Sequence, residues 1–174
     1  VRVRRGELLV RDRAEEAFVV RLELVRDDLD EEGEHLDALA QVTEVVFVER
    51  DAVSARAIRD TLGQLRCDRG RVEQVDAFAW LERGPPASKP FDVVFLDPPY
   101  GEAWLPVLAE KLERVGWLAP AAWIYLEDAA ARGEPALPAG WTLLRSKRAG
   151  DVGYHLARRG SPAHNNDHQA RGSE

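Results

Sequence analysis

Phe91-Asp92-Val93-Val94-Phe95-Leu96-Asp97-Pro98-Pro99-Tyr100 reads as a buried strand that stops in an acid, two prolines and an aromatic ring. Val93, Val94, Phe95 and Leu96 are apolar without a break, the pattern of a parallel strand covered on both faces. Pro98 and Pro99 remove two backbone donors and fix φ, so the strand cannot continue. Asp97 is thereby presented at the carboxyl end of a strand, the edge of an open α/β sheet where ligands bind.

The turn is rich in acceptors. The Asp97 carboxylate and the carbonyls of Asp97 and Pro98 accept hydrogen bonds, and the prolines bring no competing N–H. Such a pocket suits the exocyclic NH₂ of a nucleobase: both amine protons are held and the nitrogen lone pair is left to face an electrophile. Tyr100 offers a π-face for a flat base, a contact worth about 1–3 kcal/mol in single-strand binders. The plainer alternative is a tight strand-to-loop turn with an exposed acid and a packed tyrosine.

Asp97-Pro98-Pro99-Tyr100 after an apolar strand resembles the signature of methyltransferases that use S-adenosylmethionine (SAM) on amino nitrogens of bases. Residues 44–158 are similar, more narrowly, to the bacterial guanine-N2 methyltransferases of small-subunit (16S) ribosomal RNA. The segments that carry the likeness are Glu44 to Glu49, Val75-Asp76-Ala77, Phe91 to Tyr100, Gly116-Trp117-Leu118 and Ile124 to Glu127. The resemblance implies a Rossmann-like α/β sheet with helices on both faces and a closing antiparallel hairpin. It implies SAM as cofactor and 16S rRNA or the small subunit as partner. The catalytic set would be Asp97, Pro98, Pro99 and Tyr100.

The strands before the motif fit that scheme. Val45 to Val48 form a buried strand ending in Glu49, where a carboxylate accepts from both ribose hydroxyls. Many strands also end in Glu because the next turn is wet. Arg71 to Val75 form another strand, ending at Asp76-Ala77. Asp76 there accepts from the adenine amine of SAM and the Ala77 amide donates to the ring, or Asp76 N-caps the helix that begins at Ala77. The helix over Ala52 to Leu65 is expected to pack through Val53, Ala57, Ile58, Leu62 and Leu65. Trp104 to Val115 reads as a helix stopped by Gly116. Trp141 to Arg148 and Val152 to Arg158 read as a hairpin about Gly150-Asp151.

Three segments are expected: an atypical 1–43, a methyltransferase-like domain over 44–159, and a polar, disordered tail over 160–174. Val1 to Val10 and Ala17 to Val25 read as short strands. The glycine-rich turn that brings backbone close to a dinucleotide-like cofactor is missing there, since Gly6 and Gly33 are not in a G-x-G arrangement. Residues 1–43 are then either a replacement for the first strand or a misread start. The chain has net charge −7, which argues against indiscriminate nucleic-acid binding, although residues 145–174 hold 6 bases against 3 acids. A lone Cys67, no signal-like opening and no long apolar run point to a cytoplasmic protein off the membrane, and a monomer is expected. His35, His155, His164 and His168 lack ligand spacing, so no metal is expected. Two rivals stay open: DNA adenine-N6 methylation, and a catalytically impaired methyltransferase-like domain.

Overall fold

Right-handed crossovers decide how this chain is layered. The computed structural model describes residues 2–4, 7–9, 19–22, 44–85, 90–99 and 102–160, with side chains from residue 44 onward. In order these form β1 (Arg2–Arg4), β2 (Glu7–Leu9), β3 (Val19–Leu22), β4 (Val45–Glu49), α1 (Ala52–Gln64) and β5 (Gly70–Gln74). Then come α2 (Ala77–Glu82), β6 (Phe91–Leu96), α3 (Leu105–Val115), β7 (Leu118–Ala129), β8 (Trp141–Ala149) and β9 (Val152–Arg159). β1 and β2 pair as an antiparallel ribbon, and the other strands make one sheet in the order β5-β4-β3-β6-β7-β9-β8.

β4 pairs parallel with β5, and β6 parallel with β7. The step from β4 to β5 moves outward on one side, while β5 to β6 and β6 to β7 move the other way. With right-handed connections, α1 therefore lies on one face and α2 and α3 on the opposite face. The side chains agree. Val46, Val48, Val94, Leu96, Ile124 and Leu126 share one buried cluster with α2 and α3, whereas Ala55 and Ile58 of α1 are buried outside it. The expected α/β sheet with helices on both faces and a closing β8–β9 hairpin is present.

The central position departs from a purely parallel scheme. β3 sits between β4 and β6 and is antiparallel to both, pairing Val19 with Val48 and with Leu96. A strand drawn from the first 43 residues thus fills the place where the sequence shows no parallel strand with a glycine turn.

The face of α1 also differs from the expected one. Ala55 and Ile58 are buried and Leu62 is half-buried, but Val53 is 77% and Leu65 50% exposed. Leu62 leans on the first residue of β5, where a Cβ on Gly70 would meet its Cδ2 at 2.5 Å. Asp51 caps α1 by accepting from the Ser54 amide at 2.8 Å, a bond that holds its carboxyl below the usual range. Gly116 closes α3 at φ 82, a left-handed position that only glycine adopts without strain. No described helix is long and apolar enough to cross a membrane.

Two clusters fix β6 and the hairpin. Trp80, Phe91 and Trp117 stack with centroids 4.3–5.9 Å apart, and the Trp117 indole donates to the Leu81 carbonyl at 2.9 Å. Arg159 of β9 grips Glu113 of α3 with two bonds of 2.7 Å, while the Trp141 indole donates to the same carboxylate at 2.9 Å. Arg159 holds the Glu113 carboxyl below its ordinary value. Bonds to charged groups contribute about 1.5–3 kcal/mol, discounted toward about 1–2 kcal/mol for side chains this open to water (28% and 27% exposed). Arg159→Ala is expected to lower unfolding stability by that amount in urea titrations at neutral pH. Because the folded carboxyl is the stronger acid, the difference is full above the ordinary carboxylate range and shrinks as pH falls through the lowered value. A pH-independent difference would contradict this account.

Candidate active site

The carboxyl ends of β5, β4, β6 and β7 meet at one edge of the sheet. Chain order reverses between β4 and β6, so this is the topological switch point, with β3 threaded through it. Val48 and Leu96 flank Val19 in register, and Glu49 and Asp97 each stand one residue further on. Two strand spacings separate them, about 10 Å between backbones.

Glu49 is fully buried. Its Oε1 accepts from the Asp51 amide at 2.7 Å, which folds the turn into α1. Its Oε2 is buried with no hydrogen-bond partner among the described residues. A buried carboxylate oxygen without a donor costs about 1–3 kcal/mol, so a ligand hydroxyl is the partner its chemistry asks for.

The Glu49 carbonyl accepts from the Val75 amide at 3.0 Å, which brings Asp76 to the same edge. Asp76 Oδ1 accepts from Ala79 at 3.0 Å and so N-caps α2, while Ala77 is buried as its first helical residue. The capping role is therefore real. On the other flank Asp97 is half-buried and Pro98 buried, and the Pro99 carbonyl accepts from Glu102 at 3.1 Å. Tyr100 lies outside the described residues. Trp104 packs edge-on against Phe78 at 5.3 Å.

Two residues of β7 join this edge without having been singled out from sequence. The Tyr125 hydroxyl donates to Glu127 Oε1 at 2.7 Å, and its ring rests on Phe95 at 5.5 Å. Burial, the bond to Glu127 and the charges of Glu127 and Asp97 all raise the Tyr125 pKa, so the phenol stays a neutral donor. The signal was available: Trp123, Tyr125 and Glu127 alternate along β7, and β7 ends beside β6.

Comparison with known proteins places this edge in context. The family model described as Conserved hypothetical protein 95 matches residues 35–158. The chain belongs to this family. It is 34% identical over 125 residues to ribosomal RNA small subunit methyltransferase D of Escherichia coli, covering 71% of this chain and 62% of that protein. The protein of the same description from Haemophilus influenzae is 34% identical over 122 residues, 67% of this chain and 60% of that one. The chain thus spans somewhat under two thirds of the length of these curated relatives. Among solved structures, yhhF of E. coli, assigned as a methyltransferase, superposes with TM-score 0.63 at 33% identity, covering 73% of this chain and 71% of that one. A protein of H. influenzae assigned as a methylase gives TM-score 0.62 at 32% identity, covering 72% and 79%. The Conserved hypothetical protein 95 match contains Glu49, Asp76 and Asp97, and it begins at His35, after β3.

Proposed function

We propose that this chain is a SAM-dependent methyltransferase acting on the exocyclic N2 amine of a guanine in 16S ribosomal RNA. The observation that carries the reading is the buried Glu49 Oε2, without a hydrogen-bond partner among the described residues, across the switch point from Asp97-Pro98-Pro99. The relatives named for ribosomal RNA small-subunit methylation support the substrate class.

In this reading Glu49 accepts from ribose hydroxyls, and Asp76 with the Ala77 amide addresses the adenine of the cofactor. SAM, when bound, supplies an activated methyl group. Asp97 and the Pro98 carbonyl hold the two amine protons, turn the nitrogen lone pair out of conjugation with the ring, and aim it. Asp97 then takes the proton that the methylated amine must lose. Tyr100 stacks the base, which has to be unpaired or extruded to reach the edge. No side-chain nucleophile is required.

One observation favours a second reading, an impaired methyltransferase-like domain. In a parallel arrangement a strand end and the following helix would bring amide donors to the switch point, whereas β3 arrives there with its amino end. Isothermal titration of the 174-residue chain with SAM separates the two. Micromolar binding is expected, followed by methylation of 16S rRNA at guanine N2. Absence of binding at high protein concentration would leave an amine-holding edge without a donor and overturn the enzymatic reading.

A further inference from the structure

The sheet face that carries Tyr125 continues away from the candidate site over β7, β9 and β8. Contacts and register settle which side chains lie on it. Ser146 Oγ is 3.0 Å from His155 Nδ1, and His155 is buried on the side of Ala157 and the α3 cluster. Arg145 and Lys147, on either side of Ser146, therefore point the other way, paired with Leu156 and Tyr154. Tyr154 is in turn opposite Glu127, and Leu156 opposite Tyr125. Arg158 lies over the Trp123 ring at 5.2 Å on the same face, and Trp123 is 37% exposed.

The result is a surface over β8, β9 and β7 leading toward Asp97 on which Arg145, Lys147 and Arg158 stand among Tyr154, Trp123 and Tyr125, together with Leu156 and the acid Glu127. Arg145 and Lys147 are exposed on the outer strand, and Tyr154, Trp123 and Tyr125 lie further in. This is unusual in a chain of net charge −7. Sheet faces that stack bases on aromatic rings while cations meet the phosphates are a recurring way to hold an unpaired strand.

We infer that the outer face of β7, β9 and β8 is the track for the single RNA strand flanking the target nucleotide. Arg145 and Lys147 meet its phosphates, and Tyr154 with the Trp123–Arg158 shelf meets its bases. The inference rests on the methyltransferase reading for the direction of the strand, since the track ends at Asp97. Charge complementarity and continuity with that edge favour RNA over a protein partner.

The test uses the whole chain, a short labelled single-stranded oligouridylate and fluorescence anisotropy across a salt series. The R145E/K147E variant reverses the outer cations. R56E/R59E, on the exposed side of α1, changes net charge equally and serves as the control. R145E/K147E is expected to weaken binding at least about tenfold at low salt and to flatten the logarithmic salt slope by about 1.4, two phosphate contacts at about 0.7 each. The control is expected to stay within about threefold. R145Q/K147Q should show a smaller loss in the same direction, which guards against disruption of the edge strand by reversed charges.

SAM titration is run on the same samples. Unchanged SAM binding with lost RNA binding supports the track, while intact RNA discrimination without SAM binding overturns only the enzymatic reading. Equal losses in both variant pairs, no RNA binding by the parent chain, or tighter binding of oligothymidylate than of oligouridylate would each overturn the track.

Discussion

Asp97→Ala is expected to lower the rate of methyl transfer by about 10²–10³-fold while leaving SAM affinity within a few fold of the parent. Removing one preorganised group aimed at a reacting atom has a cost of this order. Here the same group also sets the direction of the nitrogen lone pair, so the upper end of the range applies. The side chain is half-buried at the end of β6, whereas the fold depends on Val94 and Leu96 just before it, both fully buried. The variant should therefore unfold within about 0.5 kcal/mol of the parent, as surface-edge substitutions do. Asp97→Asn keeps one acceptor oxygen without the charge and should fall between the two in rate. Single-turnover methylation of RNA with labelled SAM measures the effect free of product release. An Asp97→Ala chain that transfers methyl at the parental rate would remove the mechanism and leave the motif as a strand-terminating turn.

Much of this site was legible in the sequence because its signals are local. Four apolar residues ending in Asp-Pro-Pro fix both the strand and its stop, and β6 runs from Phe91 to Leu96 as that pattern requires. Gly116 marks the end of α3 because glycine takes the left-handed position there without strain. What was not legible depends on partners distant in the chain. Val19–Leu22 has the composition of a short strand, but nothing within four residues encodes which strands it pairs with or in which direction. The α1 face was misjudged for a related reason. Val53 and Leu65 lie at the ends of the helix and Ala57 is turned outward, while Ala55, Ile58 and Leu62 face the sheet. Tyr125 and Glu127 become part of the site only through the register of β7 on β6, which shifts between Phe91 and Val93. A reader of the chain sees the alternation but not the shift.

Glu49→Gln is expected to move stability and cofactor affinity in opposite directions. The parent carboxylate is fully buried, with Oε1 taken by the Asp51 amide and Oε2 without a partner among the described residues. A buried charge satisfied on one oxygen only is a burden on the free protein. Glutamine keeps an acceptor for Asp51 and removes the charge, so the thermal midpoint of the free chain should rise by about 2–4 °C, the shift that about 1 kcal/mol gives in a domain of this size. The cofactor loses on the same exchange. A carboxylate oxygen that accepts from a ribose hydroxyl is replaced by an amide that donates, and the charge-assisted bond goes with it. SAM affinity should fall by about 10–100-fold, equivalent to about 1.4–2.7 kcal/mol. Calorimetric titration with SAM and a thermal melt without it give both numbers from one preparation. Stabilisation with lost affinity means that Glu49 is held in the sheet at the expense of the fold for the sake of a ligand, as residues at binding sites often are. Destabilisation with unchanged affinity would mean the reverse: Oε2 serves the packing around β4, and the ribose assignment at this position fails even if SAM binds elsewhere along the edge.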